Sequence, residues 1–150
     1  MTKVLMVCLG NICRSPLAEG ILKSKVNPNE IYVESAGTAG YHVGELPDRR
    51  SIAVAQKFGI DLTDQRSRKF TIADFDTFDH IFVMDQSNYQ DVLSLARNSE
   101  DISKIKLILD AVPNIHETDV PDPYYGGDQG FETVYRMLDT SCNHIVSKIL

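Results

Sequence analysis

The stretch VLMVCLGNICRSPLAEG, residues 4–20, gathers two of the chain's three cysteines, an arginine, an asparagine and a proline into one short turn. Cys8 follows the apolar run Val4–Val7, and a helix is expected from about Ser15 and Pro16, because proline is favoured in a first helical turn. Leu9, Gly10, Asn11, Ile12 and Cys13 must therefore curl tightly between strand and helix. Gly10 tolerates any φ, and Asn11 is among the few residues that readily enter the left-handed region. A loop curled in this way turns successive backbone N–H groups inward and forms an anion nest at a helix N-terminus. Arg14 adds a planar fork of donors suited to two phosphate oxygens. Cys8 would then lie on the floor of a positive bowl, where thiolate is favoured over thiol. The chemistry this permits is attack of sulfur on phosphorus, with the N–H groups and Arg14 stabilising the equatorial oxygens. Ser15 could donate a hydrogen bond to the sulfur and help it leave in a second step. The Cys-x5-Arg spacing alone is a weak signal; its place between a buried strand and a proline-started helix makes it a strong one. The bland alternative is a structural cysteine beside a surface arginine. A nucleotide-binding P-loop would need a Gly-Lys-Ser/Thr ending, which is absent.

Such a loop needs a strand to end it and a helix to receive it, and the rest of the chain supplies both repeatedly. Val4–Val7 and Ile81–Met84 are continuously apolar, as strands buried on both faces are. IYVES (31–35) and KIKLIL (104–109) interleave polar residues, as edge strands can. Helical segments are expected at about 16–26, 48–58 and 86–96, with a long final helix from about 129. In that helix Phe131, Val134, Tyr135, Leu138, Cys142, Ile145, Val146 and Ile149 form the expected apolar stripe. Strands alternating with helices predict an α/β fold, a four-stranded parallel sheet with helices on both faces. With the fully apolar strands central, the order is 2-1-3-4. The topological switch, and with it a ligand crevice, then falls beside the carboxyl end of the first strand, where Cys8 is.

The totals narrow the class further. The 150 residues are 43% hydrophobic and 24% charged, which suits one globular domain over 1–150. No apolar run approaches the ~20 residues of a membrane span, and the run after Lys3 is too short for a signal-peptide core. A soluble cytoplasmic protein without membrane insertion is expected, its three cysteines acting singly rather than as a disulfide framework. A formal net charge of −6 argues against nucleic acid as a partner. The four histidines, at 42, 80, 116 and 144, show no metal-ligand spacing, so neither metal nor cofactor is expected.

VCLGNICRSPLAE, residues 7–19, closely resembles the phosphate-binding loop of the low-molecular-weight protein tyrosine phosphatases. The likeness continues in order through SAGT (35–38), GYHVGELPD (40–48), FDHIFVMDQSN (78–88), DPYYGG (122–127) and FETVY (131–135). The resemblance implies a flavodoxin-like Rossmannoid fold and hydrolysis of phosphotyrosine and small aryl phosphates through a cysteinyl-phosphate. It makes Cys8 the nucleophile, Arg14 the phosphate clamp, and Asn11 and Ser15 the residues that set the loop. It also makes Asp122 the general acid and then the base. The residues alone leave Asp122 as one of 21 acidic side chains, distinguished by Pro121 and Pro123, which stiffen the backbone around it. Tyr41, Tyr124 and Tyr125 resemble the family's aromatic pocket rim, whereas Tyr135 belongs to the helix stripe. Implied partners are phosphotyrosine proteins or peptides and inorganic oxyanions, bound by a monomer or weak dimer.

Cys13 is either a small filler or a thiol that traps oxidised Cys8 as a disulfide; Cys142 reads as core. Arg66, Arg68 and Lys69 read as a solvated turn rather than a binding patch. One departure stands out: where DQRSRKF has Gln65, relatives often have a histidine bonded to the loop asparagine. Gln65 could make that bond without titrating. Three other readings compete. An arsenate reductase would need further cysteines, and 80–97 has none. A protein-arginine phosphatase would resemble GNTCRS, with threonine in place of Ile12. A retired phosphopeptide-binding module would lack a reactive residue that is present here.

Overall fold

The computed structural model describes residues 1–123 and 127–150. Four parallel strands form one sheet in the order β2-β1-β3-β4. They are β1 (Thr2–Cys8), β2 (Ile31–Gly37), β3 (His80–Val83) and β4 (Ile105–Leu107). The expected order holds. Strand β1 is central, pairing with β2 from Thr2↔Ile31 to Cys8↔Gly37 and with β3 from Val4↔His80 to Val7↔Val83.

The period-two alternation of β1 divides the core between two faces. Val4, Met6 and Cys8 point to one side. There they meet helices α1 (Arg14–Lys23), α2 (Arg49–Lys57) and the last helix through Leu17, Ile21, Val54, Phe131 and Leu138. Leu5 and Val7 point to the other, against Phe75, Phe78, Ile81 and Val92. Each such side chain, fully buried, contributes about 1.5–3 kcal/mol relative to exposure. Cys8 therefore ends a strand that cannot shift without disrupting both layers.

Two short helices, α3 (Asp74–Thr77) and α5 (Ser99–Lys104), lie outside the expected set. Helix α5 is fixed by Asn98, whose side chain accepts from Asp101 N at 2.9 Å. Helix α4 (Gln86–Leu93) is capped in the same way by Asp85, which accepts from Asn88 N at 2.7 Å. The apolar KIKLIL run stays a strand only over 105–107, then tightens into a 3₁₀ turn at Ile108–Ala111. Helix α6 (Gly127–Lys148) buries its apolar stripe, and Tyr135 stacks on Phe58 with ring centroids 4.1 Å apart. Among the described residues no helix is long and apolar enough to cross a membrane.

Candidate active site

The chain leaves β1 at Cys8 and enters α1 at Arg14, two residues earlier than the position of Pro16 suggests. Pro16 still falls in the first turn, where its missing N–H costs nothing. Asn11 adopts φ 55°, the left-handed conformation the turn requires. The loop carbonyls are held outward by donors from three other segments and from the first turn of α1. Leu9 O accepts from Ala39 N at 2.9 Å, Gly10 O from Ser67 Oγ at 3.1 Å and Ile12 O from Asp48 N at 2.7 Å. Cys13 O accepts from Leu17 N at 3.4 Å. With carbonyls turned out, the intervening N–H groups turn in, which is the nest an anion needs. Gly37, at the end of β2, could not be another residue: a Cβ there would lie 2.8 Å from Leu9 O and 3.1 Å from Asn11 N.

A cavity of about 230 Å³ opens over this loop, lined by Cys8, Leu9, Gly10, Ile12, Cys13, Arg14, Tyr41, His42 and Asp122. At its floor Ser15 Oγ lies 3.0 Å from Cys8 Sγ. Asn11 sits beneath, its Nδ2 donating to Ser15 Oγ at 2.8 Å and its Oδ1 accepting from Arg68 N at 3.1 Å. Arg14 is 3% exposed, and its Nη1 donates to Asp85 Oδ2 at 2.7 Å and to Val120 O at 3.0 Å. Burial opposes its charge, but Cys8 and Asp85 outweigh burial and raise its pKa further. Two anchors aim the fork before any ligand arrives, so less order must be imposed on binding. Arg14→Lys is expected to weaken phosphate inhibition and kcat each by at least about tenfold, because a point charge cannot replace that fork. An unchanged phosphate inhibition constant would remove Arg14 from the clamp role.

Asp122 faces Arg14 across the cavity, its Oδ2 3.8 Å from Nη2, with the carboxylate about one-third exposed. The segment carrying it is tied to the sheet by Val120 N donating to Met84 O at 2.8 Å. A second tie is Gln86 N, donating to Asp119 Oδ1 at 2.9 Å. The Asp122 carboxylate thus lines the cavity and is open to solvent. Tyr41 stands at the rim and is 77% exposed. Tyr124 and Tyr125 lie outside the described residues.

Cys13 is the N-cap of α1, and burial, with Asp48 and Cys8 nearby, pushes its thiol up to about 12. Cys142 is buried against α1 and burial pushes it likewise to about 12. Gln65 does not bond to Asn11. Its Nε2 donates instead to Pro16 O at 3.0 Å, because Asn11 Oδ1 is already taken by Arg68 N and Nδ2 by two serines. The 66–69 turn is also more than solvated surface. Arg68 pairs with Asp74 and Glu34, and the backbone at 68–70 bonds to Gly37. That turn braces the loop from behind.

Two residues of the site were not singled out for their roles by sequence. Asp85, in VMDQSN, clamps Arg14; its position directly after the β3 carboxyl end was the available signal. His42 lines the cavity with Nδ1 held by Glu45 Oε2, and its Cδ2 would be 3.2 Å from a Cβ on Gly10. No spacing pattern marks it. Among the described residues no group of three or more His, Cys, Asp or Glu side chains could hold a metal ion.

Comparison with known proteins matches nearly the whole chain. Residues 3–150 match the family described as low molecular weight phosphotyrosine protein phosphatase. The human protein of that name is 40% identical over 153 residues, covering 97% of this chain and 94% of the relative. The crystal structure of a protein tyrosine phosphatase from Entamoeba histolytica superposes with a TM-score of 0.92 at 38% identity, covering 99% of this chain and 97% of that one. The structure of a Drosophila arginine phosphatase gives 0.89 at 34% identity, covering 97% and 96%. The chain belongs to the low molecular weight phosphotyrosine protein phosphatase family.

Proposed function

We propose that this family member hydrolyses phosphotyrosine in proteins or peptides, and small aryl phosphates, in two steps through Cys8. The observation that carries the reading is the single cavity in which Cys8, Arg14 and Asp122 converge, with Ser15 Oγ 3.0 Å from the sulfur. The phosphate's oxygens sit in the N–H nest and on the Arg14 fork. The Cys8 thiolate attacks phosphorus in line, the bond to the phenolic oxygen breaks, and the Asp122 carboxyl gives that oxygen its proton. In the second step water attacks phosphorus and Asp122, now a carboxylate, takes the water's proton. The S–P bond breaks, and the Ser15 hydroxyl donates to the sulfur as it regains its charge. Each transition state puts charge where donors already point, so little reorganisation is needed. Leu9, Ile12 and Tyr41 supply an apolar wall suited to a ring.

That wall also separates this reading from a phosphoarginine one. Ile12 offers a guanidinium no polar partner, whereas it packs well against a phenyl face. Hydrolysis of matched phosphotyrosine and phosphoarginine peptides, with a chelator present, tests the choice. The tyrosine peptide should lead in kcat/KM by at least about tenfold; the reverse order would make the chain an arginine phosphatase. We further propose that the chain acts as one domain, as a monomer or weak dimer, in a reducing cytoplasm that keeps its thiols free.

Cys13 is assigned as the resolving thiol. Peroxide oxidises Cys8 to the sulfenic acid with loss of water; the Cys13 sulfur then displaces hydroxide from it, forming a disulfide and a second water. Since burial keeps Cys13 protonated near neutrality, trapping should be slow and should speed up with rising pH. After prolonged excess peroxide, oxidised wild type should recover activity with added thiol, whereas Cys13→Ser, whose untrapped sulfenic acid is oxidised on to the sulfinic acid, should not. Equal recovery would leave Cys13 a packing residue.

A further inference from the structure

A buried carboxylate that takes no part in this chemistry ends a hydrogen-bond chain that starts at the nucleophile. Asn11 Nδ2 donates to Ser15 Oγ at 2.8 Å and to Ser35 Oγ at 2.9 Å. Ser15 Oγ is 3.0 Å from Cys8 Sγ, and Ser35 Oγ donates to Glu19 Oε1 at 2.7 Å. All five residues are at most 6% exposed. The Asn11 amide fixes the sense of the chain. It spends one N–H on each serine, so both hydroxyl oxygens accept there and direct their own protons to the far side. Ser15 thus donates to the sulfur, and Ser35 to Glu19. The amide cannot turn over, because its oxygen is held by Arg68 N at 3.1 Å.

We propose that Glu19 is a positioning residue for Cys8: it orients Ser35 and, through Asn11, keeps the Ser15 hydroxyl donating to the sulfur. The proposal rests on Cys8 being the nucleophile. Glu19 lies on α1 and lines a second cavity, of about 240 Å³, apart from the one over the loop. The charged and titratable groups facing it there are Lys23 on α1, Tyr32 and Glu34 on β2, Arg66 and Arg68 on the bracing turn, and Asp64 just before it. Burial pushes the Glu19 carboxyl up, while the bonds from Lys23 and Ser35 pull it back. Gln65 lines the same cavity but bonds to Pro16 O, so the chain from Cys8 ends on the Glu19 carboxylate, which Lys23 Nζ meets from the far side.

A carboxylate is required because both oxygens must accept. Oε1 takes Ser35, and Oε2 takes Lys23 Nζ at 2.6 Å. An amide has one acceptor. With its oxygen kept on Lys23, the nitrogen of a glutamine would face Ser35 donor to donor, and the serine proton would lose its acceptor. Glu19→Gln therefore inverts the far end of the chain at nearly constant volume. Ser35→Ala cuts the chain and leaves the Glu19 charge in place.

The test is the pH profile of Cys8 alkylation by iodoacetamide, mapped by mass spectrometry, with kcat on a phosphotyrosine peptide. In both variants the alkylation midpoint should move about one pH unit to the alkaline side and kcat should fall about tenfold, while phosphate inhibition changes less than about threefold. Removal of a through-space negative charge would instead move the Glu19→Gln midpoint to the acid side and leave Ser35→Ala unmoved. A packing role would lower Tm with both profiles unchanged. Either result overturns the proposal. Failure of the underlying reading looks different: Cys8→Ser would retain turnover, whatever Glu19 does.

Discussion

Cys8→Ser is expected to abolish phosphotyrosine turnover, by on the order of 10⁴-fold or more, while phosphate still binds. A serine hydroxyl keeps its proton where a thiol gives it up, and among the described residues the hydrogen-bond partner at Cys8 Sγ is the Ser15 hydroxyl, which is not a base. Binding survives because the anion's partners are elsewhere. The loop N–H groups are turned inward by carbonyl bonds to residues 17, 39, 48 and 67, and Arg14 is aimed by Asp85 and Val120. None of these contacts uses the sulfur. The checks are peptide turnover against a mock-purified contamination control, and phosphate titration by calorimetry. Turnover retained above that control would rule out the covalent mechanism. Loss of phosphate binding as well would mean that the nest is not independent of the thiolate.

Asp122→Asn is expected to act according to the leaving group. Nitrophenolate departs readily without a proton, whereas tyrosine's phenolate, with a parent pKa near 10, does not. Phosphotyrosine peptides should therefore slow by about 10²–10³-fold, and nitrophenyl phosphate by much less. Phosphate affinity should change little, since Asp122 meets Arg14 at 3.8 Å but does not build the nest. A series of aryl phosphates under single-turnover conditions isolates phosphorylation of Cys8. Equal losses across the series would remove Asp122 from the acid role. Asp85 would be a poor replacement, because its carboxylate is committed to Arg14 and to capping α4. Asp48 is similarly engaged with Arg50.

The sheet and the loop were legible because their signals are local. Continuous apolar runs marked β1 and β3 as central, and from that the strand order and the place of the crevice followed. Gly10, Asn11 and Pro16 announced the turn, since their backbone preferences do not depend on neighbours. Helices α3 and α5 were missed because they are four and six residues long, too short to show an amphipathic period. Helix α5 is fixed by its Asn98 cap, and α3, which has no capping side chain, by the burial of Phe75. The bracing of the loop was illegible for a different reason. Arg68 reads as part of a solvated turn and Ser67 carries no signal, and only the fold brings the Arg68 backbone to Asn11 and the Ser67 hydroxyl to Gly10. Gln65 shows the same limit. The family resemblance suggested a partner in Asn11, but Asn11 had no capacity left, and a donor count of that kind needs the three-dimensional contacts.

The covalent intermediate is the central claim, and rapid-quench mapping tests it most directly. Enzyme in excess is mixed with a phosphotyrosine peptide, quenched in acid on the millisecond-to-second scale, and digested for mass spectrometry. The account predicts tyrosine peptide released ahead of inorganic phosphate, with one phosphoryl group transiently on the fragment carrying Cys8 and Cys13, and none on that fragment in Cys8→Ser. Simultaneous release of peptide and phosphate, with that fragment never phosphorylated at any quench time, would contradict it.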